Sequence, residues 1–64
     1  MYIISNEKAN EFLVILFKSE IARSDRWTSN LNEATRMSEV DANTELIYFT
    51  EKRGFINLIT ISNM

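Results

Sequence analysis

Hydrophobic residues near the start of the chain fall into two short runs. Residues 1–4 are rich in aromatic and β-branched side chains, which favour a β-strand. Residues 11–18 contain six consecutive apolar residues between charged ones. A helix capped at Asn6 would also fit this run, but it would have no polar face and the run has the length of a strand, so we predict a strand. The polar residues 5–10 would then connect the two strands of a hairpin.

A polar start signal and a basic stop signal indicate a helix in the second half of the chain. Ser38 is a typical N-cap residue, and Asp41 stands at the N3 position of an arrangement similar to a capping box. Residues 52–53 are basic and would lie in the last turn, with Gly54 following at C′. We predict a helix over residues 38–53. Its buried stripe would be formed by four apolar side chains: Ala42, Leu46, Ile47 and Phe49.

The same segment also fits a second hairpin. Residues 46–50 and 55–61 are rich in β-branched and aromatic side chains, and residues 51–54 between them have the composition of a turn. The end signals described above favour the helix over this hairpin. Residues 55–61 form the closing strand in either case.

The closing strand bears on how the protein assembles. Alternation along residues 55–61 makes both faces of the strand largely apolar, and one helix covers only one of them. Either the strand is central, with a second subunit over its other face, or it is an edge strand that pairs with its symmetry mate. A chain of 64 residues is also only marginally stable by itself. We therefore predict a homodimer formed through the sheet.

Composition restricts the chemistry. The chain has no cysteine and no histidine, so disulfides and zinc sites with the usual ligands are excluded, and the commonest general base at neutral pH is missing. A domain of this length has little room for a substrate pocket. We expect one small domain over residues 1–64, with no enzymatic activity, cofactor or metal.

Charge and hydropathy bear on the compartment and on the class of partner. The net charge is −2, and no basic stretch is dense enough to favour nucleic-acid binding. The longest apolar run, residues 12–17, is far shorter than a membrane span, and the start of the chain lacks the basic region of a secretory signal. We expect a cytoplasmic protein that does not contact a membrane.

Residues 27–38 read W-T-S-N-L-N-E-A-T-R-M-S and are followed by Ala42. This stretch resembles a pattern in many very small phage and prophage proteins, W-T-x-[ND]-L-x-x-A-x-x-F-x, followed by a helix that often has an early alanine. Met37 stands where phenylalanine is usual. The match covers about residues 26–45, whereas the first half of the chain, with an insertion-like stretch at residues 18–25, matches only loosely.

The resemblance implies a fold class. Proteins of this group look like a strand hairpin, a short third strand, a helix and a closing strand. The predicted fold is therefore α+β: a small single-layer antiparallel sheet of about four strands with one helix, in the order βββαβ.

The resemblance also implies a mode of action, because tiny phage proteins often bind and block a host enzyme or a defence complex. We therefore expect an inhibitor that acts by protein–protein binding in the host cytoplasm. Two other classes stay open. One is a dimeric nucleic-acid-binding regulator that presents Arg23, Arg26 and Arg36 to phosphates, and the other is a structural subunit of a larger assembly.

Four side chains are the predicted partner-binding residues. Arg23, Arg26 and Trp27 lie within five residues, and both residue types are enriched at interface hot spots. Tyr48 would lie at the flank of the helix if its neighbour Phe49 packs inward. The structural alternative for Trp27 is that its ring covers an open end of the core. The alternative for the basic stretch around it is an exposed polar connection.

Two further features have a plain structural interpretation. Asp41 and Glu45 lie four residues apart on the predicted helix and could share a hard cation, but a solvated helix edge is the preferred interpretation. Gly54 is the only glycine, which excludes a glycine-rich phosphate loop and leaves its role as a helix C-cap.

Overall fold

Four strands and one helix make up the chain, which a computed structural model describes over residues 1–64. All strand pairs are antiparallel, and the strand order in the sheet is β3-β2-β1-β4. The predicted α+β class, with four strands and one helix in the order βββαβ, is confirmed. In chain order the elements are β1 (Tyr2–Asn6), β2 (Glu11–Lys18), β3 (Arg23–Thr28), a 3₁₀ turn (Leu31–Glu33), α1 (Glu39–Glu51) and β4 (Ile59–Asn63).

The first two strands form the predicted hairpin, and residues 11–18 are a strand rather than a helix. The strand β1 ends at Asn6, two residues later than predicted, because the Asn6 side chain itself begins the turn. Its Oδ1 accepts a hydrogen bond from the Ala9 N–H at 3.2 Å. Asn10 closes the turn with φ 55°, a left-handed conformation that asparagine tolerates better than most residues.

A β-bulge lies in β2 where it pairs with β3. Ile15 pairs with Asp25. The neighbouring residue of β3, Ser24, pairs with Phe17, so Leu16 has no partner. The extra residue reverses the alternation along the rest of β2. Lys18 is therefore in register with Arg23 and lies on the face of the sheet that α1 covers.

The basic stretch at residues 23–26, for which an exposed polar connection was the alternative interpretation, forms the first four residues of a strand. Residues 19–22 form the turn and β3 begins at Arg23, so this interpretation was wrong. The first four residues of β3 have low intrinsic β propensity, and pairing with β2 determines their conformation instead.

Residues 34–37 lie between β1 and β2, which pair directly with each other only near their turn. Tyr2 and Met37 exchange backbone hydrogen bonds of 2.7 and 2.9 Å. The Thr35 N–H donates to the β2 backbone at 3.0 Å, and the Thr35 hydroxyl accepts from it at 2.8 Å. This segment therefore satisfies backbone groups of both strands that the hairpin leaves unpaired.

The helix begins as predicted and ends slightly earlier. The Ser38 hydroxyl accepts a hydrogen bond from the Asp41 N–H at 3.2 Å, as an N-cap should. The C-cap is Lys52, so Gly54 lies two residues after the cap and not at the predicted C′ position. The chain reverses there because the Phe55 N–H donates to the Phe49 carbonyl at 2.9 Å, and Gly54 adopts φ 74° within that loop.

The core lies between α1 and one face of the sheet. Ala42 and Phe49 are buried as predicted and Leu46 is half-buried, but Ile47 is 56% exposed. Positions 42, 45 and 49 share one helical stripe, so Glu45 occupies the place predicted for an apolar residue. The buried cluster consists of Ile4, Leu13, Met37, Ala42, Phe49 and Ile59.

The closing strand lies later in the chain than predicted. Residues 55–58 form a turn in which Asn57 has φ 59°, and β4 covers residues 59–63. A left-handed residue interrupts an extended strand, which is why the predicted strand was wrong at residues 55–58 and correct at residues 59–61. The face of β4 away from α1 carries Thr60 and Ser62, so it is not apolar.

The stretch that resembles the phage pattern connects β3 to α1, and its residues have structural roles. Thr28, Ala34 and Met37 are buried. Asn30 caps the 3₁₀ turn by accepting a hydrogen bond from the Asn32 N–H at 3.0 Å, and Ser38 caps α1. Packing and capping therefore account for these five positions of the stretch.

Candidate functional site

Five charged side chains of alternating sign form a row beside α1, which we call the ionic row. Its members, in spatial order, are Lys18, Glu45, Arg23, Asp25 and Arg53. Lys18 Nζ lies 2.5 Å from Glu45 Oε2, and the Arg23 guanidinium donates to Glu45 Oε1 at 2.8 Å. Arg23 Nε also donates to Asp25 Oδ2 at 2.7 Å, while Arg53 lies 3.8 Å from the other oxygen of Asp25. The row therefore begins and ends with a cation.

Glu45 is the buried centre of this row. Its side chain is 1% exposed, and that of Arg23 is 15% exposed. Burial raises the pKa of Glu45, but hydrogen bonds from Lys18 and Arg23 outweigh this and hold the pKa below its ordinary value. In the same way burial lowers the pKa of Arg23, but its hydrogen bonds to the two carboxylates leave that pKa raised. Both groups are ionised near neutral pH.

The prediction that Glu45 lies on a solvated helix edge was wrong, whereas Asp41 is exposed. The sequence contained a signal for this, because Glu45 lies three residues after Ala42 and four before Phe49. A charged residue in an apolar stripe is expected to have a buried partner of opposite charge. The other missed members of the row, Lys18, Asp25 and Arg53, carry no comparable signal.

The structure brings three of the four predicted partner-binding residues to the same side of the sheet. The Arg23 guanidinium lies 4.1 Å from the centre of the Tyr48 ring. Trp27 lies on the same face, four residues further along β3. Arg26 lies on the opposite face, where its guanidinium is 3.6 Å from Glu33.

Trp27 packs at the margin of the core. Its ring lies 5.4 Å from the Phe49 ring in an edge-on arrangement and is stacked 5.8 Å from the Phe55 ring. Because the side chain is half-buried, this geometry fits the structural interpretation of Trp27 and leaves part of the residue accessible.

The end of the β2–β3 hairpin exposes three large apolar side chains. We call residues 16–22 the hairpin tip. The exposed fractions are 59% for Leu16, 55% for Phe17 and 96% for Ile21. The Ser19 N–H donates to the Ala22 carbonyl at 2.7 Å and fixes the turn. The outward direction of Phe17 could not be predicted from the sequence, because the bulge that causes it has no sequence signature.

Two hollows adjoin the hairpin tip, and Lys18 lines both of them. The first, of about 370 Å³, lies between the tip and Tyr48 and also borders Arg23. The second, of about 540 Å³, extends towards the start of α1 and borders Arg36 and Glu45. The Lys18 side chain is 44% exposed, so its ammonium group is accessible although it is paired with Glu45.

Comparison of the chain with protein-family models, with curated proteins and with solved structures returned no match. None of the helices has the length and hydropathy needed to cross a membrane. No group of three or more acidic, histidine or cysteine side chains is arranged to hold a metal ion.

Proposed function

We propose that this protein acts by binding another protein, and that the hairpin tip together with Tyr48 and the end cations of the ionic row is the contact surface. The observation that carries the proposal is the exposure of Leu16, Phe17 and Ile21 at the hairpin tip, on the end of β2 and the turn that follows it. Scattered single apolar side chains are ordinary on protein surfaces, but several on one tip are typical of an interaction site.

The base of the hairpin tip is held rigidly. Lys18 and Arg23 pair with each other across the β2–β3 ladder, and both also bond to Glu45 of α1. Strand, turn and helix are thereby fixed to one another. A tip that is already ordered loses little conformational freedom on binding, so more of the contact energy becomes affinity.

The charges indicate the chemistry of the partner. The ionic row contains three cations and two carboxylates, whereas the whole chain has a net charge of −2. Lys18 and Arg53 are 44% and 41% exposed, and each contacts a single carboxylate within the row. Carboxylates on the partner beside a pocket for Ile21 would complement this surface and guide its approach.

The resemblance to small phage proteins supports the narrower proposal that the partner is a host or defence enzyme, which is inhibited in the host cytoplasm. The geometry supports protein binding better than the alternative of nucleic-acid binding. Arg23 and Arg26 lie on opposite faces of β3, and each is near a carboxylate, so the two do not form one basic surface.

Photocrosslinking from the hairpin tip tests the proposal. A photoreactive phenylalanine analogue is placed at position 21 and, as a control, at position 47, where Ile47 is also exposed but lies on α1. Both proteins are irradiated in a bacterial lysate, and the crosslinked proteins are identified by mass spectrometry. The captured enzyme is then purified and assayed with wild-type protein, Ile21→Ser and Ile47→Ser.

We expect one protein to be crosslinked from position 21 and not from position 47. Its activity should fall in proportion to added wild-type protein, and Ile21→Ser should inhibit at least about tenfold more weakly, as for a truncated hot-spot residue. Equal crosslinking from both positions, or equal inhibition by both serine variants, would contradict a contact surface at the tip. Specific crosslinking without inhibition would support a structural subunit instead.

A further inference from the structure

The two edge strands of the sheet differ in charge. β3 forms one edge and carries Arg23, Asp25 and Arg26 among its six residues. β4 forms the other edge, and its sequence, I-T-I-S-N, contains no charged residue. Charged side chains on an edge strand discourage pairing with another chain, so β4 is the edge that is open to such pairing.

The register of β4 with β1 shows which backbone groups are free. The Met64 N–H donates to the Met1 carbonyl at 2.7 Å, and the Glu7 N–H donates to the Leu58 carbonyl at 3.3 Å. In an antiparallel ladder, hydrogen-bonded pairs of residues alternate with non-hydrogen-bonded pairs. The backbone N–H and C=O groups of a non-hydrogen-bonded pair point away from the partner strand. The outer edge of β4 therefore presents the backbone N–H and C=O groups of Ile59, Ile61 and Asn63.

We infer that β4 pairs antiparallel with β4 of a second copy of this chain, about a two-fold axis through Ile61. In this register Ile59 lies opposite Asn63 of the second copy, so all the free backbone groups find partners in about six hydrogen bonds. Ile61 of one copy meets Ile61 of the other on the face that α1 covers. On the opposite face Thr60 meets Ser62, a favourable hydroxyl pair, and no like charges oppose each other.

The pairing joins two four-stranded sheets into one, with both helices on the same side. The core faces of the two copies become continuous at Ile61, which is only half-buried in one chain. The hairpin tip lies at the opposite end of the strand order, beyond β2 and β3, so each copy keeps its proposed contact surface free. The dimer is thus independent of the proposed function.

Sedimentation velocity with one variant on each edge tests this inference. Ser62 and Ser24 are exposed serines on β4 and β3, and both side chains point away from α1. In a dimer of Ser62→Lys, each copy contributes one lysine to the β4–β4 interface. Ser24→Lys adds the same charge to the other edge of the sheet. Wild type and both variants are measured over a series from about 1 to 200 μM, since assembly depends on concentration. Circular dichroism establishes that each variant is folded.

We expect wild-type protein to be dimeric in the upper part of this range. Ser62→Lys should raise the dissociation constant roughly tenfold, because two lysines within about 8 Å repel each other across the strand pair, while Ser24→Lys should leave it unchanged. A second variant, Ile61→Pro, removes an outward N–H without removing a bond to β1 and should abolish the dimer. A monomer at every concentration, or equal weakening by the two lysine variants, would overturn the inference.

Discussion

At the scale of single residues, Glu45 shows how a charge is accommodated in a small core. Its carboxylate is shared between Lys18 and Arg23, and Arg23 in turn is shared between Glu45 and Asp25. No buried side-chain polar atom lacks a hydrogen-bond partner. A buried pair with this degree of satisfaction need not add net stability, but breaking it leaves a charge without compensation. Glu45 should therefore be sensitive to even a conservative substitution.

We predict that Glu45→Gln lowers the free energy of unfolding by about 3 kcal/mol near neutral pH, because it leaves the cations of Lys18 and Arg23 without their shared carboxylate. Urea unfolding measures the change. Glu51→Gln on the same helix is the matched control, since Glu51 is exposed and forms no ion pair, and its effect should stay within about 0.5 kcal/mol. Similar losses in both variants would contradict a structural role for the ionic row.

The lowered pKa of Glu45 also predicts a dependence of stability on pH. The folded protein favours the ionised carboxylate, so this contribution is fully present above the ordinary glutamate pKa of 4.5 and is lost as the pH falls through the lower folded value. Urea unfolding midpoints measured through this acidic range should fall for wild-type protein. The fall should be smaller for Glu45→Gln, and an identical pH profile in the two proteins would contradict the assignment.

Substitutions of Trp27 distinguish a structural role of this residue from a role in binding. We predict that Trp27→Ala destabilises the protein by about 3 kcal/mol, because the ring packs against both Phe49 and Phe55. Trp27→Phe keeps an aromatic ring at the core margin and should lose about 1.5 kcal/mol or less. Thermal unfolding distinguishes the two variants. Near-equal stability of Trp27→Ala and wild type would instead point to a role in binding alone.

At the scale of elements, the sequence predicted those parts that depend on local chemistry. The cap at Ser38 and the strand at residues 11–18 follow from residue type and run length. The start of β3 and the β2 bulge could not be predicted, because pairing between strands determines them and the first four residues of β3 have little strand propensity. The same limit applies to the site, since Lys18 reaches Glu45 only because the bulge places it on the face of the sheet that α1 covers.

The helix cap gives the prediction at this scale. Ser38→Ala removes the acceptor of the Asp41 N–H and should cost about 1 kcal/mol, which for a domain of this size lowers the melting temperature by roughly 4–8 °C. Ser29→Ala is the control, since Ser29 is exposed and lies outside both helix caps. A melting temperature for Ser38→Ala equal to that of the control would show that this cap contributes no stability.

At the scale of the whole molecule, β1 joins the beginning of the fold to its end. It pairs with β2, with Met37 and with β4, so segments from most of the chain meet along one strand. The βββαβ order could be predicted from the sequence with its resemblance, but the position of β4 at an edge could not. Strand order is a property of the whole sheet, and the prediction left a central and an edge position open for this strand.

We predict that a chain ending at residue 57 does not fold, because β1 loses its β4 partner and the core loses Ile59. A synthetic peptide of residues 58–64 should restore the circular dichroism spectrum of the full-length protein when it is added in excess, since the binding site for β4 would then be filled in trans. The same peptide with Ile59→Ser should be at least about tenfold less effective. A stable fold without the peptide would show that β4 is dispensable.

The pairing of β1 with β4 also determines when β1 can complete its native contacts during synthesis. Asn6 pairs with Ile59, so the partner of β1 is made after nearly all of the intervening chain. Translation of that interval takes roughly 3–10 s, whereas a hairpin such as β2–β3 forms within microseconds. Throughout those seconds the edge of β1 that presents the backbone groups of Ile3 and Ser5 has no native partner, and the nascent chain is then most exposed to aggregation.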